Sequence, residues 1–170
     1  MKEIKVLINE KQLQSRIKEI AKQIEDDYKG RDLTFICILK GSIFFTTDLA
    51  KNIKNNIQIS FMKISSYENN FESSGKLRID LEILENIQNK DVIIIEDIMD
   101  TRRTMKYLIE YLKEKKPNTL KVCTLLDKPS RKVFDVQSDY VGFEIEDKFV
   151  LGYGLDYEQN YRNLPYIGYV

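Results

Sequence analysis

Three short, nearly unbroken apolar runs constrain what this chain can fold into: residues 33 to 39 (LTFICIL), 91 to 95 (DVIII) and 120 to 126 (LKVCTLL). Runs of that length mark strands covered on both faces, as in a parallel sheet between helices. Helical periodicity lies between them. Over residues 10 to 29, Leu13, Ile17, Ile20, Ala21, Ile24 and Tyr28 recur at three- and four-residue spacings, and Gly30 follows as a stop. A second helix carries Phe45, Leu49 and Ile53 on one face. A third, over residues 103 to 116, carries Met105, Leu108, Ile109 and Leu112, with Pro117 just beyond. Residues 57 to 64 and 77 to 83 read as further strands, residues 65 to 76 (SSYENNFESSGK) as a polar loop, and residues 140 to 145 and 149 to 153 as short aromatic-rich strands. Alternating strands and helices imply an α/β fold, a parallel-sheet core with right-handed crossovers flanked by helices. No repeat, low-complexity tract or linker divides residues 1 to 170, so one domain is expected.

Composition removes several chemistries. With no histidine, a histidine base, a Ser/His/Asp triad and an imidazole metal site are impossible, which leaves acid–base work to carboxylates, Lys, Tyr or Cys. Lys plus Arg and Asp plus Glu both number 27, so no general attraction for nucleic acid is built in. Cys37 and Cys123 fall inside apolar runs and read as core thiols in a reducing compartment. The start, MKEIKVLINEKQ, lacks the apolar stretch of a signal peptide, and no run approaches the length of a membrane span. The expectation is a cytoplasmic protein with no membrane partner.

In open α/β sheets ligands bind beyond the carboxyl ends of the strands, which directs attention to residues 40 to 41, 96 to 104, 127 to 128 and 149 to 162. The segment VIIIEDIMDTRRTM says most. Glu96, Asp97 and Asp100 close an apolar strand, and Thr101, Arg102, Arg103 and Thr104 open the next helix. A helix N-terminus with hydroxyls and guanidinium groups suits a phosphate monoester, and carboxylates suit hydroxyl donors or a hard cation. Together they describe a site for a sugar phosphate.

VIIIEDIMDT, with a basic residue and Thr at 103 and 104, resembles the 5-phosphoribosyl 1-pyrophosphate (PRPP) motif of type I phosphoribosyltransferases. More narrowly, LKGS at 39 to 42, SSY and SSG between 65 and 75, LLDKPSR at 125 to 131 and VGFEIEDKFVLGYGLDYEQNYRNLPYIG at 141 to 168 resemble the purine-salvage members acting on hypoxanthine and guanine. The resemblance covers essentially the whole chain. It implies the family's fold, with a small hood formed by the terminal segments, and transfer of phosphoribosyl from PRPP to hypoxanthine or guanine with Mg²⁺. A homodimer or homotetramer is implied as well.

Site roles follow from the resemblance. Glu96 and Asp97 would hold the ribose hydroxyls, and Thr101, Arg102, Arg103 and Thr104 the 5′-phosphate. Asp100 would be the base toward the purine N7 proton, a role that calls for a carboxylate made more basic by burial or by its acidic neighbours. Lys40 and Gly41 would approach the pyrophosphate after a cis peptide, where an ordinary turn would be trans. Lys128 would donate to the purine 6-oxo group, Phe149 would stack on the ring and Val150 would offer main-chain groups to its edge. A lysine has donors only, so adenine's 6-amino group goes unmatched. Asp156, with Glu96 and Asp97, would hold Mg²⁺, Arg162 would bind pyrophosphate, and Ser66 and Tyr67 would belong to a lid. Without the resemblance, Lys128 reads as a solvated turn lysine and Phe149 as a core aromatic.

Two departures stand out. Arg102 replaces a glycine usual in the family, and a side chain there is expected to weaken PRPP binding, although an arginine also offers a charge-assisted contact. Glu68 and Phe71 replace small residues of the lid. An RNA-binding regulator and a catalytically impaired paralogue are the alternatives on the same fold, the first opposed by the neutral charge balance.

Overall fold

A computed structural model describes residues 3–66 and 77–170. Its elements, in order, are β1 (Lys5–Ile8), α1 (Glu10–Tyr28), β2 (Leu33–Ile38), α2 (Ile43–Lys51), β3 (Ile57–Ser66), β4 (Leu77–Leu81), β5 (Asp91–Met99), α3 (Arg103–Lys113), β6 (Thr119–Asp127), β7 (Tyr140–Glu144), β8 (Val150–Leu151) and β9 (Ile167–Tyr169). The predicted apolar runs become the central strands. Every residue of β2 is buried, as are the first six of β5 and the last six of β6. β2, β3, β5, β6 and β7 pair in parallel, in the sheet order β4-β3-β2-β5-β6-β7. Only β4 departs from the parallel expectation, returning antiparallel along β3.

Helix α1 begins where the sequence puts it because Asn9 and Gln12 form a reciprocal capping box that satisfies two otherwise orphan N–H groups. All six residues of its predicted stripe are buried against one face of the sheet, with Phe45 and Leu49 of α2 in the same cluster. Ile53 joins that cluster from beyond the end of α2. Met105, Leu108 and Leu112 of α3 pack on the opposite face with Ile36, Ile94 and Val122. Helix α3 ends at Lys113, short of the expected residue 116, and Lys116 takes a left-handed φ of 56°. Both cysteines are buried and free, and burial pushes both thiols up.

The hood is a second, antiparallel sheet, β1-β9-β8, built from the two terminal segments. Strand β1 goes unpredicted because its four residues are mostly exposed and its partner β9 is supplied by the other end of the chain. The strand expected over residues 149 to 153 shortens to Val150–Leu151, since Gly152, Tyr153 and Gly154 all take positive φ and turn the backbone. Ser65 and Ser66, expected in a loop, are the last residues of β3, while Tyr67, Glu68 and Phe71 lie outside the described residues. Among the described residues no helix is long and apolar enough to cross a membrane.

Candidate active site

The chain runs from β2 to β3 on one side and later places β5 on the other side of β2, so the crossovers diverge between β2 and β5. Their carboxyl ends splay apart at that point, where open α/β sheets bind ligands. A cleft of about 320 Å³ opens there, and its wall includes Lys40, Gly41, Glu96, Asp97, Asp100, Thr101, Arg102, Thr104, Asp156 and Arg162. Ten residues singled out by sequence thus meet in one cavity. The Leu39–Lys40 peptide is cis, as the resemblance implies. Arg103 is not in that wall; its guanidinium lies over the Phe134 ring, 5.9 Å from the centroid.

Glu96 and Asp97 belong to the extended end of β5, beyond the run read from sequence. Glu96 is 8% exposed, and Asp97 accepts its next neighbour's N–H, from Ile98, at 2.7 Å. Burial pushes both carboxyls up, Glu96 well above its ordinary value because the Asp97 charge beside it adds to desolvation. Arg162 acts the other way on Asp97. The pair therefore retains a proton on Glu96 at a pH where an exposed pair would be fully ionised. The unfolded chain releases that proton above about pH 4.5, its ordinary value, so the contribution of Glu96 to stability is complete below that pH and is lost as pH rises toward its raised native pKa. Glu96→Gln is accordingly expected to raise Tm at pH 7 in metal-free buffer and to flatten the decline of Tm with rising pH, read by differential scanning calorimetry from pH 4 to 8. An unchanged slope refutes this.

Helix α3 opens without a side-chain cap, and only a long 3.5 Å contact joins the Arg103 N–H to Thr101 Oγ1. Beyond Arg103, the first-turn N–H groups find no acceptor among the described residues, and Thr104 and Met105 line the cleft, a ready anion site. Asp100 differs from expectation. Its side chain is 41% exposed and accepts a 2.9 Å hydrogen bond from Arg131 Nε, so burial falls on Glu96 and Asp97 instead. Arg102 sits at φ 69°, ψ 7°, the left-handed region, with its side chain turned away from solvent onto Asp127.

The far wall comes from the segment after β8, which holds four of the eight non-glycine residues of positive φ among those described: Tyr153, Glu158, Gln159 and Tyr161. Such a cluster persists only where surrounding contacts fix it. Arg162 does much of that, donating to Gly154 O at 2.7 Å and pairing with Asp156 at 2.8 Å, while Lys40 Nζ reaches Gln159 at 3.1 Å. Lys128, Phe149, Val150 and Ser66 are not in the cleft wall. Yet Lys128 is only 7% exposed with its ammonium 3.3 Å from Asp147, and Phe149 is 51% exposed in a T-shaped contact with Tyr157. Both invert what residue type alone predicts. Sequence reasoning missed Arg131, Asp147 and Gln159 as partners, and assigned Asp127 no role. LLDKPSR was the available signal for Asp127 and Arg131, but pairing across 25 or more positions leaves no periodic trace.

A carboxyl pair, its Glu96 buried, and an uncapped helix start at the divergence of a parallel sheet suit a phosphorylated sugar. The matching family model is the phosphoribosyl transferase domain, over residues 7–158, and the chain belongs to that family. Within it the similarity is to hypoxanthine-guanine phosphoribosyltransferases. That of Staphylococcus aureus (strain Mu50 / ATCC 700699) is 48% identical over 163 residues, 96% of this chain and 91% of the relative. That of Staphylococcus epidermidis (strain ATCC 12228 / FDA PCI 1200) matches to the same extent. The crystal structure of a hypoxanthine-guanine phosphoribosyltransferase from Bacillus anthracis str. 'Ames Ancestor' has a TM-score of 0.94 at 47% identity, with 99% of each chain covered.

Proposed function

We propose that this phosphoribosyltransferase moves the 5-phosphoribosyl group from PRPP to hypoxanthine or guanine, releasing pyrophosphate and giving IMP or GMP. One observation carries the reading: the Glu96–Asp97 pair, acceptors suited to a diol, and the uncapped start of α3, suited to a phosphate, line the same cleft. The bond from ribose C1 to pyrophosphate oxygen breaks, a bond from C1 to a purine ring nitrogen forms, and the purine N7 proton passes to Asp100. Thr101 to Thr104 anchor the phosphate, and Lys40 and Gly41 approach the leaving group. Arg162 grips pyrophosphate once it parts from Asp156. Lys128, a donor with no acceptor capacity, meets the 6-oxo group, the half-exposed Phe149 stacks on the ring, and main-chain groups of Val150 meet its edge.

Among the described residues no three acidic, Cys or His side chains converge as a cage for a metal. The available donors are carboxylates of Glu96, Asp97 and Asp156, which fits a cation that arrives with substrate phosphates and keeps its waters, the usual habit of Mg²⁺. Bound there, Mg²⁺ would neutralise charge on the departing pyrophosphate. Ser66, exposed at the end of β3, and Tyr67 are assigned to the lid. The chain is read as a cytoplasmic homodimer or homotetramer on the resemblance alone.

Nucleotide formation followed by absorbance, with PRPP, Mg²⁺ and each base offered separately, tests the reading. Turnover is expected with hypoxanthine and guanine and not with adenine, and Lys128→Ala is expected to raise KM for both bases by about tenfold or more while leaving KM for PRPP close to the parent value. Failure of folded parent protein to use either oxo-purine defeats the proposal in favour of an impaired paralogue. RNA binding finds no support in the comparisons.

A further inference from the structure

We propose that Arg102 and Asp127 act as one positioning unit, a buried clasp that holds the phosphate loop against the strand end from which Lys128 projects. The inference rests on the functional reading above. Arg102 occupies a left-handed conformation that glycine takes freely and arginine takes only where its surroundings compel it. What compels it is Asp127. Arg102 Nη2 lies 2.7 and 2.9 Å from the two carboxylate oxygens of Asp127, and the two side chains are 5% and 11% exposed.

Among the described residues the buried Nε of Arg102 finds no acceptor, so the guanidinium is placed for Asp127 rather than for its own full hydrogen bonding. Arg102 lines the cleft, yet its guanidinium is committed to Asp127 and both side chains are nearly buried, so a direct grip on substrate would cost that pair. Arg102 therefore acts through the loop and not as a ligand. Asp127 ends β6 opposite Met99 in the register of β5, and the next residue, Lys128, donates its N–H to Met99 O at 2.9 Å. The clasp thus bridges the residue before α3 and the residue before Lys128. Beyond that backbone bond, the ties past the strand ends are longer or more exposed: Val133 and Phe134 N–H groups reach Thr101 O at 3.3 Å, and the Arg131–Asp100 pair is half exposed. A displaced clasp would loosen the phosphate site and the purine site together. The clasp predicts the opposite of the weakened PRPP binding expected from sequence, with the charge-assisted contact of Arg102 made to Asp127.

The experiment measures PRPP binding by calorimetry with Mg²⁺ present and hypoxanthine kinetics for the parent, Arg102→Gly, Asp127→Asn and the double variant. Each single substitution strands a buried charge, and each is expected to raise both the PRPP Kd and the hypoxanthine KM by about fivefold or more. The double variant is expected to return to within about threefold of the parent, because glycine needs no clasp and asparagine no cation. Should Asp127→Asn fail to fold, Asp127→Glu keeps the charge but shifts the carboxylate, and the same joint rise is expected. Singles with parental Kd and KM, even with lowered Tm, overturn the clasp, as does tighter PRPP binding by Arg102→Gly. A parent that binds PRPP yet transfers to no purine overturns the functional reading while the binding arm still judges the clasp. A parent that binds no PRPP overturns both.

Discussion

Replacing Asp100 with asparagine is expected to lower kcat for hypoxanthine by about 10²-fold or more, the usual worth of a positioned proton acceptor, with KM for PRPP little changed. Asparagine keeps the size and the carbonyl that Arg131 Nε donates to at 2.9 Å, but it takes up no proton. The ion pair supplies the control. Arg131 also lies 3.8 Å from Asp147, which neighbours Lys128, so Arg131→Gln perturbs the same network without removing the carboxylate and should cost far less in kcat. Steady-state kinetics on the two variants decide the matter. Equal losses would mean that Asp100 serves only to hold Arg131.

Gly154→Ala is expected to damage the protein severely. A Cβ there overlaps the Gly41 carbonyl oxygen, a backbone atom, at a φ of +101°. Overpacking costs about 1–3 kcal/mol and a left-handed alanine about 1–2 more, so Tm should fall by roughly 10 °C. PRPP binding should weaken with it, since Gly154 also carries the carbonyl that fixes Arg162. Gly41→Ala is the informative contrast. Its Cβ overlaps the Asp97 carboxylate and comes within 2.6 Å of its Cγ, so the side chain can yield; a rise in KM for PRPP should outweigh the loss of Tm. Gly30→Ala serves as reference, because its φ of +77° is strained but nothing lies within 4 Å, and it should leave kinetics untouched. Differential scanning calorimetry with PRPP titration separates these outcomes, and a Gly154→Ala protein with parental Tm would refute the packing argument.

Much of this architecture is legible in the sequence because its causes are local. The stripe from Leu13 to Tyr28 is a statement about helical period, and the runs in β2, β5 and β6 state that both faces are covered. The strand-end rule likewise located Lys40, Glu96, Asp97 and Thr101 before any coordinates. What escaped depends on distant partners. Nothing near Lys5 announces Tyr169. Nothing near Arg102 announces that its charge belongs to Asp127, and a left-handed arginine is unintelligible until that partner is known. Lys128 and Phe149 show a further limit: residue type predicts average exposure, and these two side chains depart from that average in opposite directions.

The pairing of residue 5 with residue 169 in the hood also sets an order of events during synthesis. Strand β1 emerges early and then has no mate until β9 is made, a wait on the order of ten seconds at ordinary translation rates. The central strands β2, β3 and β5 meet their neighbours well before that. The nascent chain can therefore build the floor on which the sugar phosphate rests while its roof is still unmade. Strand β8, beside Phe149, likewise waits for β9 as its partner, so that edge of the hood closes only after the central sheet beneath it.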